Sequence, residues 1–263
     1  MTDQQRLLKQ SIIALIFLLL VGSLSFGIYR GYNPPAPSPT PNPTAQLTPL
    51  KIISSQLLLV ANSGYDFVAR INNPNTDYGS ADVEYELTVA NAAGSSLGSQ
   101  TGSFYILPGQ TKYLVITPVK LSTLTSEVAS QANLTIKSVD WQKLAPLATS
   151  GINLIPRDYT FQPVKQLGVV GKVNGAVLNS SDYDLGQVEV SVILFDSERN
   201  IMAVNRTEIR TFLAKTTRGF EVAWFTPLSG VVGSVEVEAN TNVFENSNYL
   251  HQYQQPERFQ QFY

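Results

Sequence analysis

Few side chains in this sequence could do chemistry, and their types exclude more than they suggest. There is one histidine, His251, and no cysteine among 263 residues. A Ser-His-Asp triad needs an imidazole beside its nucleophile, and a transition-metal site needs several His or Cys donors, so neither is readily assembled. The missing thiols also remove disulfides, thiol catalysis and a lipid-modified N-terminal cysteine. Oxygen donors remain. Asp182-Tyr183-Asp184 and the cluster Asn72, Asn73, Asn75 and Asp77 could offer ligands to Ca²⁺. Asn and Asp are also the usual residues of β-turns, and the turn is the simpler reading in both places. A hydrolase working through Asp182 or Asp184 is an alternative with no recognisable constellation behind it. No catalytic residue, metal ligand or cofactor is assigned.

Other polar positions read as surface. Lys112, Glu189 and Glu221 fall in alternating, strand-like runs and are expected on solvent faces. An intramolecular Lys–Asn isopeptide bond would require a buried lysine beside an acid, which sequence cannot place. The triplets beginning at Asn133, Asn179 and Asn205 fit the glycan acceptor pattern, a short pattern that arises often by chance. Net charge is -2 and no long basic run exists, so nothing marks a nucleic-acid partner.

The elements that must position these residues repeat along the chain. Val83-Glu84-Tyr85-Glu86-Leu87-Thr88-Val89 alternates as a half-buried strand requires, and Val188-Glu189-Val190-Ser191-Val192-Ile193-Leu194 matches it about 105 residues later. Ile71-Asn72-Asn73-Pro74 leads into the first strand and Val177-Leu178-Asn179-Ser180 into the second. Downstream, Thr111–Ile116 has its counterpart in Thr217–Val222, and Leu134–Lys137 in Val235–Glu238. Short strands separated by Asn, Asp, Gly and Pro turns predict an all-β fold of two tandem antiparallel Ig-like β-sandwiches, over 50–147 and 148–246. Pro156 and Pro163 confine the first strand of the second sandwich to a sheet edge. Trp224 is expected in a core; Trp141 fits either a core or the junction between sandwiches. A chain without a bridging disulfide fits a bacterial source better than a secreted eukaryotic one.

The second repeat resembles the FxLYD domain of bacterial envelope proteins. Gly175-Ala176-Val177-Leu178-Asn179-Ser180 is similar to the Gly-x-Val-x-Asn-Ser approach of that family, and Val192-Ile193-Leu194-Phe195-Asp196 to its Phe-x-Leu-Tyr-Asp strand end. Val192 stands in place of the Phe and Phe195 in place of the Tyr. In the first repeat the corresponding stretch, Leu87–Asn91, has nearly lost the signature. The resemblance implies an Ig-like fold on an extracytoplasmic protein; it carries no catalytic residues and names no ligand. In physical terms the strand fills the core and Asp196 opens a turn before Glu198-Arg199-Asn200.

Ahead of the repeats, residues 11–29 form an uncharged apolar run of 19 residues, close to the roughly 20 that an α-helix needs to cross a bilayer. It reads as a transmembrane signal-anchor whose partner is membrane lipid. Arg6 and Lys9 bias residues 1–10 to the cytoplasm and the bulk of the chain outside, which gives a single-pass protein of the cytoplasmic (inner) membrane. The competing reading is a signal peptide cleaved near Ser23-Leu24-Ser25. Residues 30–49 hold the seven prolines of a polyproline-II stalk, about 50 Å if extended. The tail, 247–263, is rich in Gln and aromatics. Tyr249, Tyr253, Phe259, Phe262 and Tyr263 either pack back on the second sandwich or form a docking segment for a partner. The functional expectation is a non-enzymatic binding or scaffolding protein whose partner is an unknown protein or surface ligand. An accessory subunit of a secretion or pilus assembly is the alternative.

Overall fold

The computed structural model describes residues 15–23, 25, 47–60, 64–120, 128–144, 151–166, 168–246 and 249. The chain divides into two compact units, Met1–Gln46 and Leu47–Tyr263. In the first unit, residues 15–23 are helical with exposed side chains. Among the described residues no helix is long and apolar enough to cross a membrane. Residues 11–14, 24 and 26–29 of the expected anchor lie outside the described residues, as does most of the expected stalk.

The second unit is built from twelve strands in two repeats of six. The first repeat contains β1 (Lys51–Val60), β2 (Gly64–Asn72), β3 (Tyr78–Ala90), β4 (Ser96–Ile106), β5 (Thr111–Ile116) and β6 (Gln131–Lys143). The second contains β7 (Leu154–Gln166), β8 (Val169–Asn179), β9 (Leu185–Phe195), β10 (Ile201–Phe212), β11 (Thr217–Trp224) and β12 (Ser234–Asn240). Sheet orders are β1-β2-β5 and β4-β3-β6, then β7-β8-β11 and β10-β9-β12, all antiparallel. The second pair of sheets reproduces the first strand for strand. These are the A-B-E and C′-C-F strands of an immunoglobulin-type arrangement, without a G strand among the described residues. Pro156 and Pro163 lie on β7, an edge strand, where a missing N–H costs no ladder bond.

Each pair of sheets encloses its own core. In the first, Phe67, Ala69 and Ile71 of β2 meet Val83, Leu87 and Val89 of β3, and Leu114 and Ile116 of β5. In the second, Val173 and Val177 meet Val188, Val190 and Val192, with Trp224 and Phe161 edge to face at 6.3 Å. Trp224 is thus a core residue, and Trp141 is half-buried on β6.

Two asparagines at equivalent positions pin the strand connections of their repeats. Asn73 is fully buried; its amide donates to the carbonyls of Tyr78 (2.7 Å) and Leu107 (2.9 Å), and its Oδ1 accepts from the Asn75 N–H (3.0 Å). Asn179 does the same with Tyr183 (2.8 Å), Phe212 (3.3 Å) and Leu213 (3.2 Å), and accepts from the Ser181 N–H (3.1 Å). One side chain therefore bridges carbonyls at the ends of two separate strand connections. The β3–β4 and β9–β10 turns also share one design. Asn91 Oδ1 accepts from the N–H groups of Ala93 and Ser95, and Asp196 Oδ1 from those of Glu198 and Asn200. The left-handed position falls on Gly94 (φ 83°) in one turn and Arg199 (φ 69°) in the other.

A third apolar cluster joins the repeats. Leu58, Val68, Tyr113 and Val115, on the outer face of β1-β2-β5, pack with Ile193, Phe195 and Val204 from the outer face of β10-β9-β12. This explains why Ser191, Ile193 and Phe195 are buried although they alternate with the inward-facing Val190, Val192 and Leu194. A strand covered on both faces becomes a continuous apolar run, and β9 ends as one.

Candidate functional site: the cleft between the repeats

Lys112 is the residue whose position departs most from the sequence expectation. It stands at the start of β5, in step with Leu114 and Ile116, and is only 2 % exposed. The expected solvent face is therefore wrong for Lys112. In-step alternation turns its side chain toward the open side of the first sandwich, where β4 and β5 are edge strands of different sheets. In the second repeat the equivalent residue is Arg218, which stays exposed and donates to the Thr211 carbonyl at 3.2 Å. The difference has a physical cause: the second repeat itself covers the open side of the first.

Above Lys112 lies a cleft of 710 Å³ walled by β4 and β5 on one side and by β9, β10 and the segment after β12 on the other. The Lys112 ammonium sits over the Tyr105 ring, 3.8 Å from its centroid. No hydrogen bond or ion pair reaches that ammonium from the described residues. The Tyr105 hydroxyl is also buried and has no hydrogen-bond partner among the described residues. Across the cleft, Glu189 pairs with Arg206 at 3.7 Å. Glu238, beside the cleft, accepts the Tyr113 N–H at 2.9 Å, which caps a backbone donor of edge strand β5. The walls are held in register by Gln110 donating to Asn240 Oδ1 at 2.9 Å and Gln56 donating to the Ile201 carbonyl at 3.1 Å.

The local electrostatics follow from burial. Burial lowers the Lys112 pKa from the ordinary lysine value, against the pull of Glu189 and Glu238 and with the push of Arg206. Burial likewise raises Tyr105 well above the usual phenol range, and the carboxylates of Glu189, Glu238 and Glu245 add to the effect. Glu238 is raised by burial too, opposed by the Tyr113 N–H and by Lys112. The cleft thus contains a desolvated cation and a desolvated phenol beside carboxylates that do not pair with them directly.

The residues singled out from sequence are placed elsewhere. Asp182 pairs with Lys215 at 2.8 Å, and Asp184 accepts the Ala214 N–H at 2.8 Å, so the two carboxylates brace the β10–β11 turn rather than converge. Asn72, Asn73 and Asn75 are engaged in strand and turn hydrogen bonds. Among the described residues no three His, Cys, Asp or Glu side chains gather as a metal site would need. Asn179 is buried and fully hydrogen-bonded, which removes it as a glycan acceptor. Glu189 and Glu221 are ion-paired, with Arg206 and Lys172. The isopeptide arrangement lacks its acceptor, since no asparagine side chain is within hydrogen-bond reach of the Lys112 ammonium among the described residues. Of the five tail aromatics, Tyr249 is fully buried in the second core, edge to face with Tyr183 at 4.9 Å, so its ring is not presented to a partner. Tyr253, Phe259, Phe262 and Tyr263 lie outside the described residues.

No protein-family model and no curated protein matches the chain. Among solved structures, the chain is similar to the calcium-binding domain CBD12 of CALX1.1, at 16 % identity over 72 % of this chain and 79 % of that one, with a TM-score of 0.21. At that TM-score the likeness carries no argument about ions or fold here. The fold stands on its own sheets and cores.

Proposed function

We propose that the chain is a non-catalytic binding or scaffolding protein, in which two fused Ig-like sandwiches present the cleft between them to a ligand or partner. The observation that carries the reading is the cleft itself: two repeats share an apolar cluster and enclose a polar space containing a buried ammonium that makes no hydrogen bond or ion pair among the described residues. Packing alone does not favour a desolvated lysine that, among the described residues, has no hydrogen bond or contact ion pair. The proposal includes attachment to the cytoplasmic membrane with the sandwiches outside, supported by the 19-residue apolar run and the basic residues before it. It also includes kinship of the second repeat with FxLYD-type envelope domains. Asn179 and Asp196, two of the residues that carry that resemblance, support it by their work in the loop and the turn.

The test is photo-crosslinking from single positions of the full-length chain in native membranes. A crosslinker at Glu208, on the cleft rim, is expected to capture a discrete partner or ligand, and one at Gln162, exposed on β7, to capture none. Capture from Gln162 but not from Glu208 would contradict the assignment of the cleft as the binding face.

A further inference from the structure

We infer that the cleft is a site for the carboxylate of a small polar solute, held by the Lys112 ammonium and the Tyr105 hydroxyl. The inference deepens the binding reading above and rests on it. Two polar groups face the same cleft, both buried, and neither has a hydrogen-bond partner among the described residues. One is a cation with three N–H donors, one of its sides covered by the Tyr105 ring. The other is a hydroxyl whose burial holds it neutral, so it can only donate to an anion, not compete as one. An acceptor with two oxygens and a negative charge satisfies both, and charge-assisted bonds to it are stronger than neutral ones. Arg206, already paired with Glu189, contributes positive potential on the opposite wall. The rest of the lining is polar: Asn240, Asn242 and Asn246 are held by Gln110, Phe244 and Asp184, and the carboxylates of Glu189, Glu208 and Glu245 share the cleft, so the anion's place is at Lys112 and Tyr105 alone. Repeat symmetry supplies the contrast. At the equivalent place in the second repeat, Arg218 is exposed to solvent and one of its N–H groups donates to the Thr211 carbonyl, so no buried cation is repeated there.

The experiment is isothermal titration of the full-length chain in non-ionic detergent, at fixed ionic strength, with glucuronate and with glutamate, and with glucose as the uncharged control. Saturable binding of at least one acid is expected, with glucose weaker by about tenfold or more. Lys112→Met should lose that binding about tenfold or more, Tyr105→Phe severalfold, and Arg218→Met not at all. Lys112→Met removes a buried charge, so its melting temperature should be no lower than the parent's, which separates lost binding from lost folding. Whichever acid binds identifies the carrier as a sugar acid or an amino acid. Absence of saturable binding by both acids, or binding that Lys112→Met and Tyr105→Phe leave intact, would overturn the inference. If the Glu208 crosslinker still captures a partner in that case, the binding reading survives and only its carboxylate chemistry falls.

Discussion

At the scale of single residues, the two buried asparagines and the buried lysine are opposite uses of polarity. Asn73 and Asn179 are buried with their hydrogen bonds made, and each ties together carbonyls from two separate strand connections. Asn179→Leu should therefore destabilise by about 1–3 kcal/mol in all, read from urea unfolding midpoints, since it removes the buried amide while Leu213 keeps the Thr216 hydroxyl. Asn73→Leu should behave alike; indifference to both changes would remove the pins from the account. Lys112 is buried with no hydrogen bond made to its ammonium among the described residues. Its pKa is lowered in the folded state, so the unfolded chain binds more protons between the folded value and 10.5, and stability rises with pH there. Lys112→Met should stabilise the chain at neutral pH, with a gain that shrinks as pH approaches 10.5. Glu238 has the opposite sign. Its raised pKa means the folded chain holds the extra proton just above 4.5, so stability falls as pH rises through that window, and Glu238→Gln should flatten the slope. Urea titrations across pH check both.

At the scale of elements, the repeat was legible and the junction was not. The paired strands β3 and β9, β5 and β11, and β6 and β12 that sequence alignment matched occupy matching places in their sheets. They were visible because each strand's inward face repeats with period two. The approach to Asn73 and Asn179 and the turn at Asp196 were visible because turn chemistry demands specific residue types. What escaped was the second face. Ile193 and Phe195 lie on the outward side of β9, and a one-sided alternation reading has no place for them. The continuous run Val192-Ile193-Leu194-Phe195 was the available signal. Lys112 shared it: it is in step with Leu114 and Ile116, which should have turned it inward. The cleft around it stayed hidden because its walls come from strands on both repeats. The junction's strength is mainly apolar. The Arg70–Glu236 pair spans 3.9 Å with both side chains about a third exposed and contributes at most about 1 kcal/mol. Ile193→Ala, by contrast, should cost about 2–5 kcal/mol in chemical denaturation. A loss from Ile193→Ala no larger than that from Arg70→Ala would reverse this ranking.

At the scale of the whole molecule, the consequence is that Leu47–Tyr263 behaves as one body rather than two beads. The shared cluster, the Tyr113–Glu238 and Gln110–Asn240 hydrogen bonds, and the turn at Val243–Glu245 all cross from one repeat to the other. Phe244 in that turn reaches Gly79 on β3, where an added Cβ would come within 2.9 Å of the ring and 2.7 Å of the Ile106 carbonyl. Gly79→Ala should accordingly strain both the first repeat at Ile106 and Pro108 and the second core through Phe244, and lower the urea unfolding midpoint. A fixed cleft needs this rigidity, because a carboxylate site assembled from two independently moving domains would lose affinity to the ordering of its walls. The most direct measurement is a pulsed-EPR distance distribution between spin labels on the two repeats. The chain has no native cysteine, so cysteines at Thr101 and Glu221, both exposed, label cleanly. A single narrow distribution, broadened by Ile193→Asp, is what a fused tandem predicts; a broad distribution in the otherwise unaltered chain would contradict it.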